Sequence, residues 1–342
     1  MAKLKIMIGA NSRPEVDIEQ EVLKEWGVED KYELVKCAPR IDREAFYREA
    51  ADAVAVCAFI PFPAEVLDKL PKCQVIAIPA LGTDFCYNDA ATERGICMTH
   101  LPVEYCIEEV ASHTCALILD CSRHTTDMSV ELNGQAGAWK ESRRHRGILH
   151  RLKGAVMGFC SFGKIARRTA EMMKGFGVEV VAYDPFLPDE VFAEFGAKRI
   201  DTLEELFRQS DIISIQTPPT PKTYHMINKE LLDLAKPNLI LVCCGRGGVI
   251  DEEALKEALL NKKIFGAGID VFEDETTFQS VLFGVPGAVL TPHSAYYTDE
   301  AEQDIHRINM NDMLTVLEKK QLPDNLINPE VDGQARFQLG NS

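Results

Sequence analysis

The sequence predicts an α/β protein built from two doubly wound parallel-sheet domains. Three observations predict it. The chain has 342 residues, enough for two domains of ordinary size. Short apolar runs alternate with helical patterns along nearly its whole length. The alternation pauses once, at a long helical stretch over 103–127, and then resumes. Hydrophobic residues make up 46%, so each domain can bury a core.

In the first series, strands are expected at 4–9, 32–37, 53–58, 74–79 and 95–99, and helices at 19–26, 43–51, 64–70 and 89–94. Strand, helix, strand repeated in this way implies a parallel sheet with helices on its faces. The helix at 103–127 is too long for a simple crossover and reads as a bridge between domains. The polar stretch 133–151, with Gly134, Gln135 and Gly137, reads as an exposed connection. The second series places strands at 155–159, 179–183, 211–217, 238–244, 267–272 and 288–291, and helices at 164–176, 203–209, 229–234 and 252–261. Six such strands fit a complete dinucleotide-binding domain. A last helix, 299–319, is expected to pack back on the first domain. The expected domains are therefore 1–102 with 296–342, and 103–295.

Lys and Arg total 37 against 53 Asp and Glu, a formal charge of -16. Such a surface repels phosphate backbones and anionic lipid, so neither nucleic acid nor a membrane is an expected partner. The basic run Arg143, Arg144, His145 and Arg146 reads as a solvated loop. The 11 cysteines include no C-x-x-C pair, so no metal site is expected. Cys57, Cys115 and Cys243 sit in apolar runs, where free cysteine behaves as a small hydrophobe. That usage, with no signal-like N-terminal run, points to a cytoplasmic protein.

After the first strand of the second series comes Gly158-Phe159-Cys160-Ser161-Phe162-Gly163. It fits the glycine fingerprint at its first and last glycines, with Cys160 in the middle place. The middle glycine normally lets the backbone approach a pyrophosphate at a helix N-terminus. A Cβ there is expected to push the phosphates outward. The bland alternative is an ordinary strand-to-helix turn. Asp184 ends the next strand, 184 − 163 = 21 residues past Gly163. There an acidic side chain accepts both ribose hydroxyls of NAD and repels the extra phosphate of NADP. With Pro185 and Phe186 following, and no Arg, NAD is the expected cofactor. A plain strand-end turn residue is the alternative for Asp184.

Three further segments fall at expected strand ends: 243–251, 268–275 and 290–297. Reducing a 2-oxo acid needs a cation to grip the carboxylate and polarise the carbonyl, which suits the planar fork of Arg. It needs a proton donor that works near neutral pH, which suits His. A carboxylate beside the His favours its protonated form. Arg246, His293 and Glu275 meet these demands. Singly, each could be a surface or structural residue. His113, His124 and His225 lack comparable context and read as structural or exposed.

These segments are also where the chain resembles the D-isomer-specific 2-hydroxyacid dehydrogenases. The resemblance covers nearly the whole chain. Its most specific parts are Gly245-Arg246-Gly247-Gly248, then Asp270-Val271-Phe272 with Glu275, then Thr291-Pro292-His293. It implies a flavodoxin-like substrate domain, a Rossmann NAD-binding domain, a homodimer, and interconversion of a 2-oxo acid with its D-2-hydroxy acid. It implies that Arg246 binds substrate, that His293 is the acid/base and that Glu275 is its partner. Asp270 would hold the nicotinamide carboxamide, and Ser161 and Phe162 would offer backbone N–H groups to the pyrophosphate. Gly158, Cys160 and Gly163 would form the phosphate turn. Thr217, Pro218 and Thr223 would line the cofactor cleft. Cys244 and Gly245, with Arg246 and His293, would border the nicotinamide. The family's usual Asn-Thr-Ala before the arginine is Cys243-Cys244-Gly245 here.

In the first domain, Pro79-Ala80-Leu81-Gly82-Thr83-Asp84 resembles the loop whose amides cradle the substrate carboxylate, through Ala80, Leu81 and Gly82. Phe59, Phe62, Tyr296 and Tyr297 suggest a pocket for an apolar or aromatic tail, with plain packing as the alternative. Segments 91–96 and 108–111 look most like the C-terminal-binding-protein branch, whereas 293–297 is closer to D-lactate dehydrogenases. A second functional class stays open on that basis: an NAD-responsive, corepressor-like binding module with little catalysis.

Overall fold

The computed structural model describes residues 2–9, 17–39, 42–83, 86–134, 139, 149–277 and 279–339. The basic run at Arg143, Arg144, His145 and Arg146 lies outside the described residues, as does Asp84. The chain divides into two compact units, Met1–Tyr105 with Thr298–Ser342, and Cys106–Tyr297.

The first unit holds β1 (Leu4–Gly9), α1 (Asp17–Glu25), β2 (Tyr32–Cys37), α2 (Arg43–Ala50), β3 (Ala55–Cys57), α3 (Ala64–Leu67), β4 (Val75–Ala77), α4 (Asn88–Thr92) and β5 (Cys97–Thr99). The strands form one parallel sheet in the order β2-β1-β3-β4-β5. β1 shows the period-two logic of a strand covered on both faces. Ile6 and Ile8 enter one core with Val22 and Leu23 of α1, while Met7 points into another with Phe46 of α2. The last helix, Asp299–Leu314, continues as a π turn over Thr315–Lys319. Its Met310, Met313 and Leu314 complete the first of these cores.

A 3-10 turn, Val103–Cys106, ends the first segment of the first unit and leads into α5 (Ile107–Arg123) and then α6 (Thr125–Gly134) of the second unit. The single helix expected over 103–127 is thus broken. His124 takes a left-handed conformation with φ 52° and ends α5. The Asp120 carboxylate then accepts the Thr126 N–H at 2.8 Å and the Thr125 hydroxyl, which starts α6 afresh.

There follow β6 (Val156–Cys160), α7 (Lys164–Lys174), β7 (Glu179–Tyr183), α8 (Asp189–Glu194), β8 (Lys198–Arg199), α9 (Leu203–Gln209), β9 (Ile212–Ile215), α10 (Lys229–Leu234), β10 (Ile240–Cys243), α11 (Glu252–Leu260), β11 (Gly266–Ile269) and β12 (Ala288–Leu290). All seven strands run parallel in the order β12-β11-β10-β9-β6-β7-β8. Side-chain caps place the helix starts: Thr202 accepts the Glu205 N–H, Asn228 that of Leu231, and Asp251 that of Ala254. β8 and α8 were not expected, being too short and too polar to give a periodic signal. Gly268 of β11 lets α5 sit down on the sheet, since a Cβ there would lie 2.8 Å from that of Leu117. No described helix is long and apolar enough to cross a membrane.

Candidate functional site

Because the seven strands are parallel, their carboxyl ends share one edge, and ligands of open α/β sheets bind there. The direction of strand succession reverses between the neighbours β6 and β9. The residues expected to meet a dinucleotide cluster around that reversal.

Gly158 lies within β6, where an added Cβ would overlap the Ser210 hydroxyl and lie 2.9 Å from Leu206. Its need for glycine comes from packing against α9 and the residue after it. The sequence suggests that a Cβ at Cys160 pushes the phosphates outward; in the structure this residue turns inward. Its side chain is buried in the sheet core, with Sγ 3.3 Å from the Thr217 hydroxyl. Burial outweighs the Thr217 hydrogen bond and pushes that thiol up to about 12. Ser161 carries the turn with φ 70°. Its N–H donates to the Tyr183 carbonyl at 2.9 Å, and the Phe162 N–H donates to Asp184 Oδ2 at 2.9 Å. Both amides expected to serve a pyrophosphate are therefore engaged within the protein. The Phe162 ring is buried and stacks on Phe192.

Several features still fit a dinucleotide. Gly163 caps α7 without any side-chain bond, and an added Cβ there would meet open space. A helix start of that kind suits an anion. Asp184 stands at the end of β7 and accepts the Phe162 and Phe186 amides, two of the roughly four bonds a carboxylate can take. After β9, Thr217 is buried, with its hydroxyl bonded to the Cys160 carbonyl. Pro218 is exposed, and its carbonyl accepts the Thr223 hydroxyl at 2.8 Å, which pins the loop between them.

The residues expected to be catalytic follow the ends of β10, β11 and β12. Arg246 follows β10, with Nη1 donating to the Gly245 carbonyl at 2.8 Å. Gly247 must be glycine, because a Cβ would overlap the Phe272 carbonyl group. That close approach brings the Arg246 loop against the loop after β11. Glu275 of that loop accepts the Phe272 N–H at 3.1 Å, and its Oε2 lies 2.7 Å from His293 Nδ1. Burial raises the Glu275 pKa, but the His293 hydrogen bond and charge, the Phe272 N–H and the Arg246 guanidinium together bring it below the ordinary value. His293, with φ 52°, donates its own N–H to the Asp270 carbonyl at 2.8 Å. The three side chains singled out in the sequence thus act on one another at one place.

Asp270 is fully buried, and its carboxylate accepts Thr291, Ser294 and Ala295 donors of the His293 turn. Its observed contacts are with the chain itself. Cys243 and Cys244 are buried, and burial raises both thiols, Cys243 to about 11. In the first unit the Ala80 N–H is held by the Ile78 carbonyl at 2.8 Å. Phe62 is buried against Tyr47, so it lines a core and no open pocket. Tyr296 is half-buried and Tyr297 exposed, with their rings edge to face. Among the described residues no group of three or more His, Cys, Asp or Glu could hold a metal.

Two histidines set aside in the sequence have defined partners. His225 Nε2 lies 2.7 Å from Glu273 Oε1, which also accepts the Tyr224 hydroxyl. His113 Nε2 lies 3.0 Å from the Thr291 hydroxyl. Neither contact follows from local spacing. Thr291 is 178 residues from His113, and only its place inside the Thr291-Pro292-His293 motif marks it.

Residues 115–295 match the family described as D-isomer specific 2-hydroxyacid dehydrogenase, NAD binding domain. The chain is 34% identical over 278 residues to a D-3-phosphoglycerate dehydrogenase of Methanocaldococcus jannaschii, covering 81% of this chain and 52% of that protein. It is 35% identical over 271 residues to a glyoxylate reductase of Thermococcus litoralis, covering 78% of this chain and 80% of that protein. It spans about half the length of the phosphoglycerate dehydrogenases it matches. Among solved structures, apo D-lactate dehydrogenase from Escherichia coli aligns with a TM-score of 0.77 at 27% identity, over 95% of this chain and 100% of that one. These relatives are oxidoreductases, which gives the corepressor-like reading no support. The chain belongs to the D-isomer specific 2-hydroxyacid dehydrogenase family, and its second unit is that family's NAD-binding domain.

Proposed function

We propose that the protein is an NAD-dependent oxidoreductase that interconverts a small 2-oxo acid and its D-2-hydroxy acid. The observation that carries this reading is the Glu275–His293 pair at 2.7 Å, with the Arg246 guanidinium acting on the same carboxylate. Bound NAD(H) supplies or accepts the hydride. Arg246 binds the substrate carboxylate and polarises the carbonyl. His293 holds Glu275 through Nδ1, which leaves Nε2 to deliver the proton to the carbonyl oxygen during reduction. Glu275 fixes the ring's orientation and stabilises its positive charge, the part a triad carboxylate plays. Asp184 accepts ribose hydroxyls and disfavours a 2′-phosphate. Asp270 holds the turn that presents His293.

The relatives' names frame the substrate: one set reduces glyoxylate and the other acts on D-3-phosphoglycerate. A cytoplasmic location and a homodimer are parts of the proposal, the dimer supported by the exposed Val130 and Leu132 of α6. NADH oxidation measured with glyoxylate, pyruvate and phenylpyruvate, and NAD reduction measured with D-3-phosphoglycerate, test the reading. Turnover is expected with at least one of them, and H293Q or R246Q should lower it by on the order of a hundredfold or more. Full activity in both variants, or NADH binding with no turnover across the panel, overturns the proposal.

A further inference from the structure

Asp270 has no access to solvent, so each donor that meets its carboxylate matters to the local structure. Oδ1 accepts the Thr291 hydroxyl at 2.6 Å and the Ser294 N–H at 2.9 Å. Oδ2 accepts the Ala295 N–H at 2.9 Å. These donors bracket His293, whose φ of 52° is an uncommon conformation for a residue with a side chain. The turn is held in that shape from below by one carboxylate.

A further side chain reaches the same point from α5. His113 Nε2 lies 3.0 Å from Thr291 Oγ1 and 3.6 Å from Asp270 Oδ1. The directions of the bonds follow from the chemistry of the groups. Thr291 donates its single hydroxyl hydrogen to Asp270 Oδ1. The Thr291 oxygen must then accept from His113, and His113 must carry its proton on Nε2. A chain of donors runs from His113 to Thr291 to Asp270, and it ends on the turn that carries His293.

We infer that His113 is a positioning residue for His293, acting through Thr291 and Asp270. The inference rests on His293 being the proton-transfer group. His113 itself touches neither substrate nor cofactor in this role. It holds the Thr291 hydroxyl in the one rotamer that serves Asp270. Without it the hydroxyl is free to turn, Oδ1 loses a donor, and the aim of the His293 ring loosens.

Steady-state kinetics on the full chain test this, with H113L, H113Q, T291V and the double variant H113L/T291V. H113L should lower kcat on the order of tenfold while KM for NADH stays within about twofold, because misplacing a proton donor slows the reaction step alone. H113Q, whose amide nitrogen reaches about as far as Nε2, should recover most of the loss. T291V should reproduce the H113L loss, and the double variant should be no worse than the worse single, because residues in one chain of bonds are not additive. Unchanged kcat in H113L, losses that multiply in the double variant, or a raised KM for NADH at constant kcat overturns the inference. Should H113L fail to fold, H113N carries the test: its amide stops short of Thr291, so wild-type turnover in H113N overturns the inference and a loss restored by H113Q supports it. H293Q separates the two levels. If H293Q keeps turnover, the role of His293 fails and that of His113 with it. If H293Q is inactive while H113L and H113N match the wild type, the role of His113 alone fails.

Discussion

Desolvation by itself would make Glu275 harder to ionise, yet its carboxyl sits below the ordinary value of 4.5. The His293 hydrogen bond and charge outweigh the desolvation, helped by the Phe272 amide and by Arg246. A carboxylate depressed in the folded state stabilises the fold above its unfolded value, and that contribution disappears as pH falls through the folded value. The melting temperature of the wild-type protein should therefore drop more steeply than that of E275Q as pH falls below about 4.5, with the gap between them narrowing. Parallel melting curves at all acid pH values would contradict the pairing. Because both side chains are partly exposed, solvent screens the pair and the gap should be small. Arg246, Glu275 and His293 were legible because each sits in a short motif at a strand end. The direction of Cys160 was not, because the sequence at that position reveals only a side chain in a glycine's place. Which face of β6 receives it depends on the register with β7 and β9. His113 was illegible for a similar reason: its partner is set by how α5 lies on the sheet.

At the scale of elements, periodicity located most strands and helices within a few residues, since the strands are short aliphatic runs and several of the helices begin at Asp, Thr or Asn caps. It failed where a polar side chain altered the backbone, as Asp120 and His124 do between α5 and α6. It also missed β8, whose two residues are Lys198 and Arg199. The Gly245-Arg246-Gly247-Gly248 segment read as a substrate-binding motif, but its packing role appears only in three dimensions. Gly247 lies against the backbone of Phe272 and Glu273, with the Glu273 nitrogen 2.6 Å from where a Cβ would stand. Backbone cannot yield as a flexible side chain can. G247A should destabilise the fold by about 1–3 kcal/mol, as overpacking does, and should lower kcat/KM by separating Arg246 from Glu275. Urea midpoints and steady-state rates check both; an unchanged midpoint would show that the two loops can part without cost.

At the scale of the molecule, the two units are assembled differently along the chain. Cys106–Tyr297 is one continuous segment with its own seven-stranded sheet and core. The other unit joins Met1–Tyr105 to Thr298–Ser342, and residues 310–317 of the returning segment supply five members of its core. A fragment of residues 106–297 should fold and bind NADH, whereas a chain cut after Tyr297 should lose the order of the first unit. Circular dichroism and NADH fluorescence of the two truncations test this. Cooperative melting of a fragment of residues 1–105 would refute it.

This interrupted assembly also sets a timetable for the nascent chain. The ribosome releases β1 to β5 long before it makes the helix that covers one side of them. At about 5–20 residues per second, the intervening unit takes on the order of tens of seconds to translate. Throughout that wait Ile6, Ile8, Val75 and Ala77 lie on a sheet face whose final cover has not yet been synthesised. Chaperone capture and early aggregation should therefore concentrate on that face, and should end when the returning helix emerges.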